Sequence, residues 1–580
     1  MKNEAKTPLA VSDSDLNTRK KSLKNFLFGW VKDKYDKTFL WILLAAFLIR
    51  LWIFWQTKDQ ALWWDAADYM AAAKRWAGAN PHLIDIWYYR RGFLWPLIGT
   101  FFFMLNIGEI GMRFLVVLMS TGFVLVTYAL ISEMFNKKLG LLTSIGVAGS
   151  WLFIFFTGRV LTNLPSAFFL LTAVLFFWKG YVKKQGTKYF ILFGVFAALA
   201  TLTRMQDLMF SFPLLFLAII KEKHKVFVNK KLWLAVAIFF VIMIPQLFVH
   251  NAHFGNPLLD LTNYYLGIKG ISQTGEVGVE LAKFSDLFLY MNNLPYILDG
   301  NYLDPSNAGY SNVFIPIHLY PIFLLFIIGF FLLFVDLFLG IDKIFKDEEI
   351  QKRAFIFVWI VTTFLFLGYI APQLEQRYIM QTIPFLFLIA VYPSVFFENL
   401  LKNKFKDKAF FIILLIFFIL LIPNLIFGKN LMVSKISSYQ EIKMAGEWIK
   451  ANSNPEDIIV GGSLPQLTYY SERSVYPFEL AYRREMKKTG EAELEKFIAE
   501  KRPRYYSISI IERDEEWTYN FPQKHQDLLI PVQVYQQNNQ PVLVIYQFNY
   551  NNVTSLNLNT NQVEIPKVNR SNKTGSNNSI

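Results

Sequence analysis

From residue 38 to residue 428 the chain alternates long apolar runs with short polar segments, most of them basic. A helix needs roughly 20 apolar residues, within a range of about 17 to 25, to cross the hydrocarbon of a bilayer. On that measure the pattern predicts eleven crossings, near residues 38–56, 112–134, 139–157, 164–181, 188–204, 206–220, 232–250, 314–335, 354–371, 377–397 and 409–428. A further run, "GFLWPLIGTFFFML" from Gly92 to Leu105, is too short to span. Counting it as a crossing would invert every later loop, so it is predicted as an interfacial or re-entrant helix.

Beyond residue 430 the pattern changes. "QEIKMAGEWIKAN" and "EAELEKFIAEK" read as helices, and "DIIVGG", "RYYSISII", "IPVQVYQ" and "PVLVIYQF" read as strands. Their alternation predicts a small α/β domain with a partly parallel sheet. "IVGGS" has two glycines after a strand, which an ordinary strand-to-loop turn explains as well as a phosphate-binding loop does. The fold class expected is therefore mainly α, a polytopic α-helical membrane protein with a small α/β domain. Its segments are a basic tail over 1–37, a transmembrane part over 38–430, the α/β domain over 431–548 and an Asn/Ser/Thr-rich, disordered tail over 549–580.

Composition agrees and adds sidedness. With 54% hydrophobic and only 18% charged residues, and a mean hydropathy of +0.31, the chain is too apolar for a soluble protein of 580 residues. The net charge of +14 does not indicate nucleic acid, because the Lys and Arg cluster in the loops "NKK", "KGYVKKQGTK", "KEKHKVFVNKK", "DKIFKDEEIQKR" and "KNKFKDK". Basic loops stay in the cytoplasm. With the N-terminus inside, every one of these loops is cytoplasmic, and the loops 57–111 and 251–313 and everything after residue 430 lie outside. The N-terminal segment has no apolar core or cleavage site of a signal peptide. "NVT", "NRS", "NKT" and "NNS" in the tail are glycosylation acceptor patterns that suit an outside location, though so Asn-rich a tail produces them by chance. The absence of cysteine excludes disulfides, thiolate chemistry and Cys-ligated zinc. Among six histidines only His250 and His253 are close in sequence, and no HExxH occurs. No nucleotide motif is present, and no cofactor or metal is indicated.

Candidate chemistry gathers at the outer boundary. In "ALWWDAADYMAAAKRW", Asp65 precedes a run of good helix formers, so it reads as a helix N-cap with Asp68 at N3. The same carboxylate, flanked by Trp63 and Trp64, also reads as a general base toward an acceptor hydroxyl, with burial raising its pKa. Asp68, one turn on, is an alternative base or a partner that shares a proton or metal. "IWYYRRGFLWP" supplies Arg90 and Arg91, "TGRVLTNLP" supplies Arg159 and Asn163, "ATLTRMQD" supplies Arg204, and "PQLEQRYIMQTIP" supplies Glu375, Arg377 and Tyr378. Each arginine alone is explained by an interfacial anchor. Their convergence on one face suits the oxygens of a lipid phosphate, because guanidinium forks offer paired, permanently charged donors.

These segments resemble the polytopic GT-C glycosyltransferases, in particular the protein O-mannosyltransferase and aminoarabinose-transferase branch (glycosyltransferase family 39-like). "WWDAADYMAAAKRWAG" is similar to that branch's first-loop motif, "YYRRGFLWPLI" to its arginine-proline stretch and "LTNLPSAFFLL" to its second-loop segment. "ALATLTRMQ", "NAHFGNPL" and "EQRYIMQTIP" are similar to the later motifs in order, and the resemblance covers roughly residues 38 to 400. It implies Asp65 on the catalytic acid position, with Asp68 beside it, and inverting transfer of a sugar from a polyprenyl-phosphate carrier, dolichyl or undecaprenyl, to a hydroxyl of a protein, lipid or glycan. Arg377, Arg204, Arg90, Arg91 and Tyr378 are the implied donor-phosphate set; Asn163, Arg159 and Glu375 are implied to serve the acceptor or the frame of the site. The branch often carries an acid where this chain has Asn163, which argues for a metal-independent site with a single base. The rival reading is a transporter or flippase of lipid-linked saccharide, or a catalytically inactive relative. Transport would predict internal repeats and mid-membrane polar sites, and the sequence shows neither.

Overall fold

The computed structural model describes residues 33–87, 89, 91–258, 288–300, 320–370, 375–481, 487–512 and 514–552. The expectations for the tail before residue 33, for Arg90, for most of the 251–313 loop and for the glycosylation patterns fall outside the described residues.

Among the described residues eight helices are long and apolar enough to cross a membrane: Lys34–Thr57, Gly108–Met134, Asn163–Val182, Lys230–Phe254, Pro321–Leu339, Glu348–Gly368, Ile383–Phe405 and Ala409–Ser434. Lys137–Gly149 and Trp151–Thr157 are bent by 52° at Ser150 and make a ninth when taken as one span. Thr187–Thr203 is apolar but short. The crossing expected at 206–220 is shorter still: a 3-10 turn, Met205–Phe210, leads into a helix of 12 residues, Ser211–Glu222. Arg204 adopts an extended conformation between these pieces. The polar "TRMQD" thus opens the helical ladder where the apolar count continues, and its groups turn into the protein instead of toward lipid. Leu94–Met104 has only 11 residues, in keeping with an interfacial placement.

Lys137 pairs with Asp36 at 2.6 Å and Lys179 with Glu133 at 2.7 Å, and Lys138 pairs with Glu398. These ion pairs lie at the end of the bundle where helix Lys34–Thr57 begins. At the opposite end sit helix Trp64–Trp76 and, resting on it, the sheet-bearing part of the chain. Its five strands are β1 (Ile458–Gly461), β2 (Ser474–Tyr476), β3 (Tyr505–Ser509), β4 (Leu529–Gln537) and β5 (Gln540–Phe548), in the order β2-β1-β3-β5-β4. β1 runs parallel to both β2 and β3, whereas β5 is antiparallel to β3 and β4. The mixed sheet matches the expectation of a partly parallel one, and helices Gln440–Ala451 and Glu491–Lys501 fall on their predicted segments. Three elements went unanticipated: β2 and the helices Leu464–Ser471 and Glu516–Lys524, each short and two of them carrying proline.

The contact between the two parts is polar and specific. Asn80 donates to the Pro455 and Glu472 carbonyls at 2.9 and 2.8 Å, and Lys74 pairs with Glu472 at 2.6 Å. The Ser474 hydroxyl donates to His82 O at 2.8 Å and accepts from Ile84 N at 3.1 Å. The Tyr470 hydroxyl accepts from Leu62 N at 2.7 Å. The loop after the first helix is therefore held from both sides, by the bundle and by the sheet-bearing part.

Candidate active site

Helix Trp64–Trp76 starts two residues earlier than an Asp65 cap requires: Trp63 is the N-cap and no side chain caps the helix. Asp65 lies in the first turn, and its side chain turns away from the helix end toward two arginines. Asp65 Oδ1 is 3.2 Å from Arg91 Nη2, and its Oδ2 is 3.1 Å from Arg377 Nη1. Arg91 Nη1 reaches Asp68 at 2.7 Å. A charged bridge therefore joins three segments distant in sequence: the helix of Asp65 and Asp68, the loop of Arg91, and the 3-10 turn Gln376–Ile379 that carries Arg377.

The local frame explains how Arg91 arrives there. Gly92 follows it, and a Cβ at that position would run into the carbonyl oxygen of Leu202. Only glycine lets the loop press against the end of helix Thr187–Thr203. Gln246, fully buried on helix Lys230–Phe254, accepts from Phe93 N at 3.2 Å and donates to the carbonyls of Tyr89 and Arg91 at 3.4 Å. His250 lies 2.6 Å from the Gln246 amide. Arg91 also lies over the Tyr69 ring at 5.5 Å, and the Tyr69 hydroxyl is 3.4 Å from the Thr162 hydroxyl.

The two acids titrate differently, and the expectation of a raised pKa at Asp65 is corrected. Burial alone pushes Asp65 up, but the Arg91 and Arg377 guanidinium groups outweigh it and hold the carboxyl below its ordinary value. Asp68 is pushed up to about 6 by burial, with the Asp65 charge adding to the rise and Arg91 opposing it. The acid nearer to neutral titration is thus Asp68, not Asp65.

Of the remaining predicted residues, Glu375 and Tyr378 adjoin this bridge. Arg377 Nε is 3.1 Å from Glu375, and Tyr378 has the Arg377 guanidinium 5.5 Å and the Arg204 guanidinium 4.4 Å from its ring centre. Arg204 donates to Gln206 at 2.5 Å and makes no ion pair with Asp65 or Asp68 among the described contacts. Arg159 faces a different neighbour set: it stacks on Trp63 at 3.8 Å and Phe155 at 4.4 Å, and donates to Gln60 at 2.6 Å. Its Nε and Nη2 are buried without a hydrogen-bond partner. Asn163 is also buried, with an unpartnered Nδ2. Sequence reading missed Gln246, Tyr69, and the buried Asp207, which bonds the Ser166 hydroxyl. Asp207 was legible as an acid inside an apolar run; Gln246 and Tyr69 carried no signal.

Among the described residues one group, Glu491, Glu495 and His525, brings ligand atoms close enough for a metal. It lies on the helices flanking the sheet, and Lys524 already neutralises Glu491 at 2.7 Å. Asp65 and Asp68 face arginines, a donor set that repels a cation.

Residues 91–248 match the family model described as dolichyl-phosphate-mannose-protein mannosyltransferase. No curated protein matches by sequence. Solved structures that share the architecture include ArnT from Cupriavidus metallidurans in the apo state, with a TM-score of 0.58 and 11% identity over 88% of this chain and 98% of that one. The same protein bound to undecaprenyl phosphate gives 0.51 and 13% over 90% and 99%. The oligosaccharyltransferase AglB from Archaeoglobus fulgidus, in complex with an inhibitory peptide and a dolichol-phosphate, gives 0.54 and 13% over 82% and 70%. The chain is thus a multi-pass membrane protein that shares the fold of these solved structures, and its residues 91–248 are similar to that mannosyltransferase family.

Proposed function

We propose that the protein transfers a sugar from a polyprenyl-phosphate carrier to an acceptor hydroxyl on the extracytoplasmic face, with inversion and with Asp65 as the base. The observation that carries this reading is the bridge Arg91–Asp65–Arg377, in which two guanidinium groups converge on one carboxylate at the mouth of the bundle. The carriers found with ArnT and AglB, undecaprenyl phosphate and dolichol-phosphate, support a lipid-phosphate donor.

In the reaction the donor phosphate competes with Asp65 for Arg91 and Arg377. As the arginines turn to the phosphate, Asp65 loses their hold and its proton affinity rises. The acceptor oxygen attacks the anomeric carbon, the bond from that carbon to the phosphate oxygen breaks, and the acceptor proton passes to Asp65. Polyprenyl phosphate departs with an added negative charge, which the preorganised Arg91 and Arg377 guanidinium groups stabilise. Asp68 keeps Arg91 aimed, Glu375 and Tyr378 orient Arg377, and Arg204 supports Tyr378. The phosphoester bond of the donor drives transfer, so no nucleotide enters. The test is release of free polyprenyl phosphate from a panel of polyprenyl-phosphate sugars by membranes containing the wild-type protein or Asp65→Asn at equal expression. Release that depends on Asp65 supports the reading; no release from any donor overturns it in favour of transport or an inactive relative.

A further inference from the structure

β1 and β3 lie side by side and parallel, and the chain leaves them in opposite directions: from β1 through helix Leu464–Ser471 to β2, and from β3 through helix Glu516–Lys524 toward β4. In open α/β sheets the crevice beyond the strand ends at such a divide is where ligands bind. Here it is bordered by Gly461, Gly462 and Ser463 after β1 and by Glu512 and Asp514 after β3. A Cβ on Gly462 would come within 2.6 Å of Asp514 Oδ2, so this turn is glycine because a carboxylate lies over it. The same carboxylate makes the turn unfit for phosphate.

The crevice lies beside the first turn of helix Trp64–Trp76. The Glu512 carboxyl neighbours both Ser463 and the indole of Trp64, the residue before Asp65, and Trp64 is 42% exposed. Trp63, on the same turn, packs against Tyr439 at 6.3 Å between ring centres. The Glu512 carboxyl is approached by Ser463 and the Trp64 indole, whereas Asp514 Oδ2 and, one turn into the helix, both amide atoms of Gln466 are buried with no hydrogen-bond partner. Ser463 is 5% exposed and Gln466 is wholly buried. Burial pushes Glu512 up to about 7 and Asp514 up to about 6. Buried acceptors that lack donors are costly, and a ligand rich in hydrogen-bond donors would satisfy them.

We propose that this crevice is the acceptor subsite and that it holds a saccharide, whose hydroxyls donate to Glu512 and Asp514 and whose apolar ring face lies on Trp64. The inference rests on the glycosyltransferase reading and names its acceptor class. On this reading the saccharide lies against the first turn of helix Trp64–Trp76, next to the residue that carries the candidate base. Carboxylates accept paired hydroxyls of a sugar well, and an exposed indole covers the C–H face that water solvates poorly.

The test uses the full-length protein in lipid nanodiscs, with saturation-transfer NMR against a set of hexose disaccharides and a separate titration with undecaprenyl phosphate. The disaccharides are expected to bind the wild type, and Glu512→Gln with Asp514→Asn is expected to weaken them at least about tenfold, the scale of losing hydrogen bonds to charged groups. Trp64→Ala, at an exposed ring, is a second variant expected to weaken the same saccharides. Thermal midpoint and undecaprenyl-phosphate affinity should stay as in the wild type for the carboxylate variant. Equal saccharide affinity in wild type and variants, or no saccharide binding to the wild type, overturns the subsite. So does binding of a Ser/Thr-rich peptide that the carboxylate variant abolishes while saccharides do not compete. Failure of undecaprenyl phosphate to bind the wild type overturns the donor reading instead, and is read from a separate titration.

Discussion

Asp65 is held by two arginines that sequence spacing does not connect to it, and this reverses the expected direction of its titration. Its candidacy was legible, because a carboxylate among tryptophans after a crossing has few purposes. Its environment was not, because Arg91 and Arg377 reach it only through tertiary packing. Asp65→Asn should lower polyprenyl-phosphate release at least about a hundredfold, the usual range for losing a general base, with protein folding unchanged by circular dichroism. Asp68, pushed up to about 6, is ionised above that pH and neutral below it. When it protonates, Arg91 loses an ionic anchor at 2.7 Å. kcat/KM should therefore fall as the pH drops through about 6, and Asp68→Asn should remove that limb while lowering the plateau. Arg377→Lys keeps the charge but loses the fork that reaches both Asp65 and Glu375. A charged hydrogen bond of about 1.5–3 kcal/mol corresponds to roughly a ten- to hundredfold loss of lipid-phosphate affinity, measurable by titrating undecaprenyl phosphate.

At the scale of elements, the long helices were legible because a bilayer demands length and apolarity, and both are properties of a stretch of sequence. The segment after Arg204 misled, since the apolar count runs on through a break that its polar residues cause. In the sheet, the long β4 and β5 alternate clearly, whereas the three-residue β2 gives no period to read. The loop that carries Arg91 depends on close approach to helix Thr187–Thr203. Gly92→Ala should displace it and cut activity by an amount close to that of Arg91→Ala, and the double variant should add little more. Steady-state release assays on the three proteins check this.

At the scale of the molecule, the sheet-bearing part closes over the helix of Asp65 and Asp68 by way of Asn80, Lys74 and Ser474. Asn80 is buried, and Asn80→Ala takes the side-chain donor from the Pro455 carbonyl and leaves the Glu472 carbonyl only Arg473 Nη1 at 3.1 Å, which costs about 1–3 kcal/mol. Hydrogen exchange should rise in residues 455–474 and in the loop about residue 80, with the helices of the bundle unaffected. Uniform exchange in both proteins would show that the docking does not depend on this contact.

The sequence by itself determined that the chain spans a membrane many times, that an α/β unit follows the helices, and that its candidate chemistry gathers at one boundary. Hydropathy, strand period and loop charge are local quantities, each readable within a few tens of residues. Only the tertiary structure decided which arginines reach Asp65, that Asp68 rather than Asp65 titrates near neutrality, and that the glycine turn after β1 lies under Asp514 and beside Trp64. Those facts depend on distances between segments far apart in the chain, and electrostatics and desolvation act through space, not along the backbone.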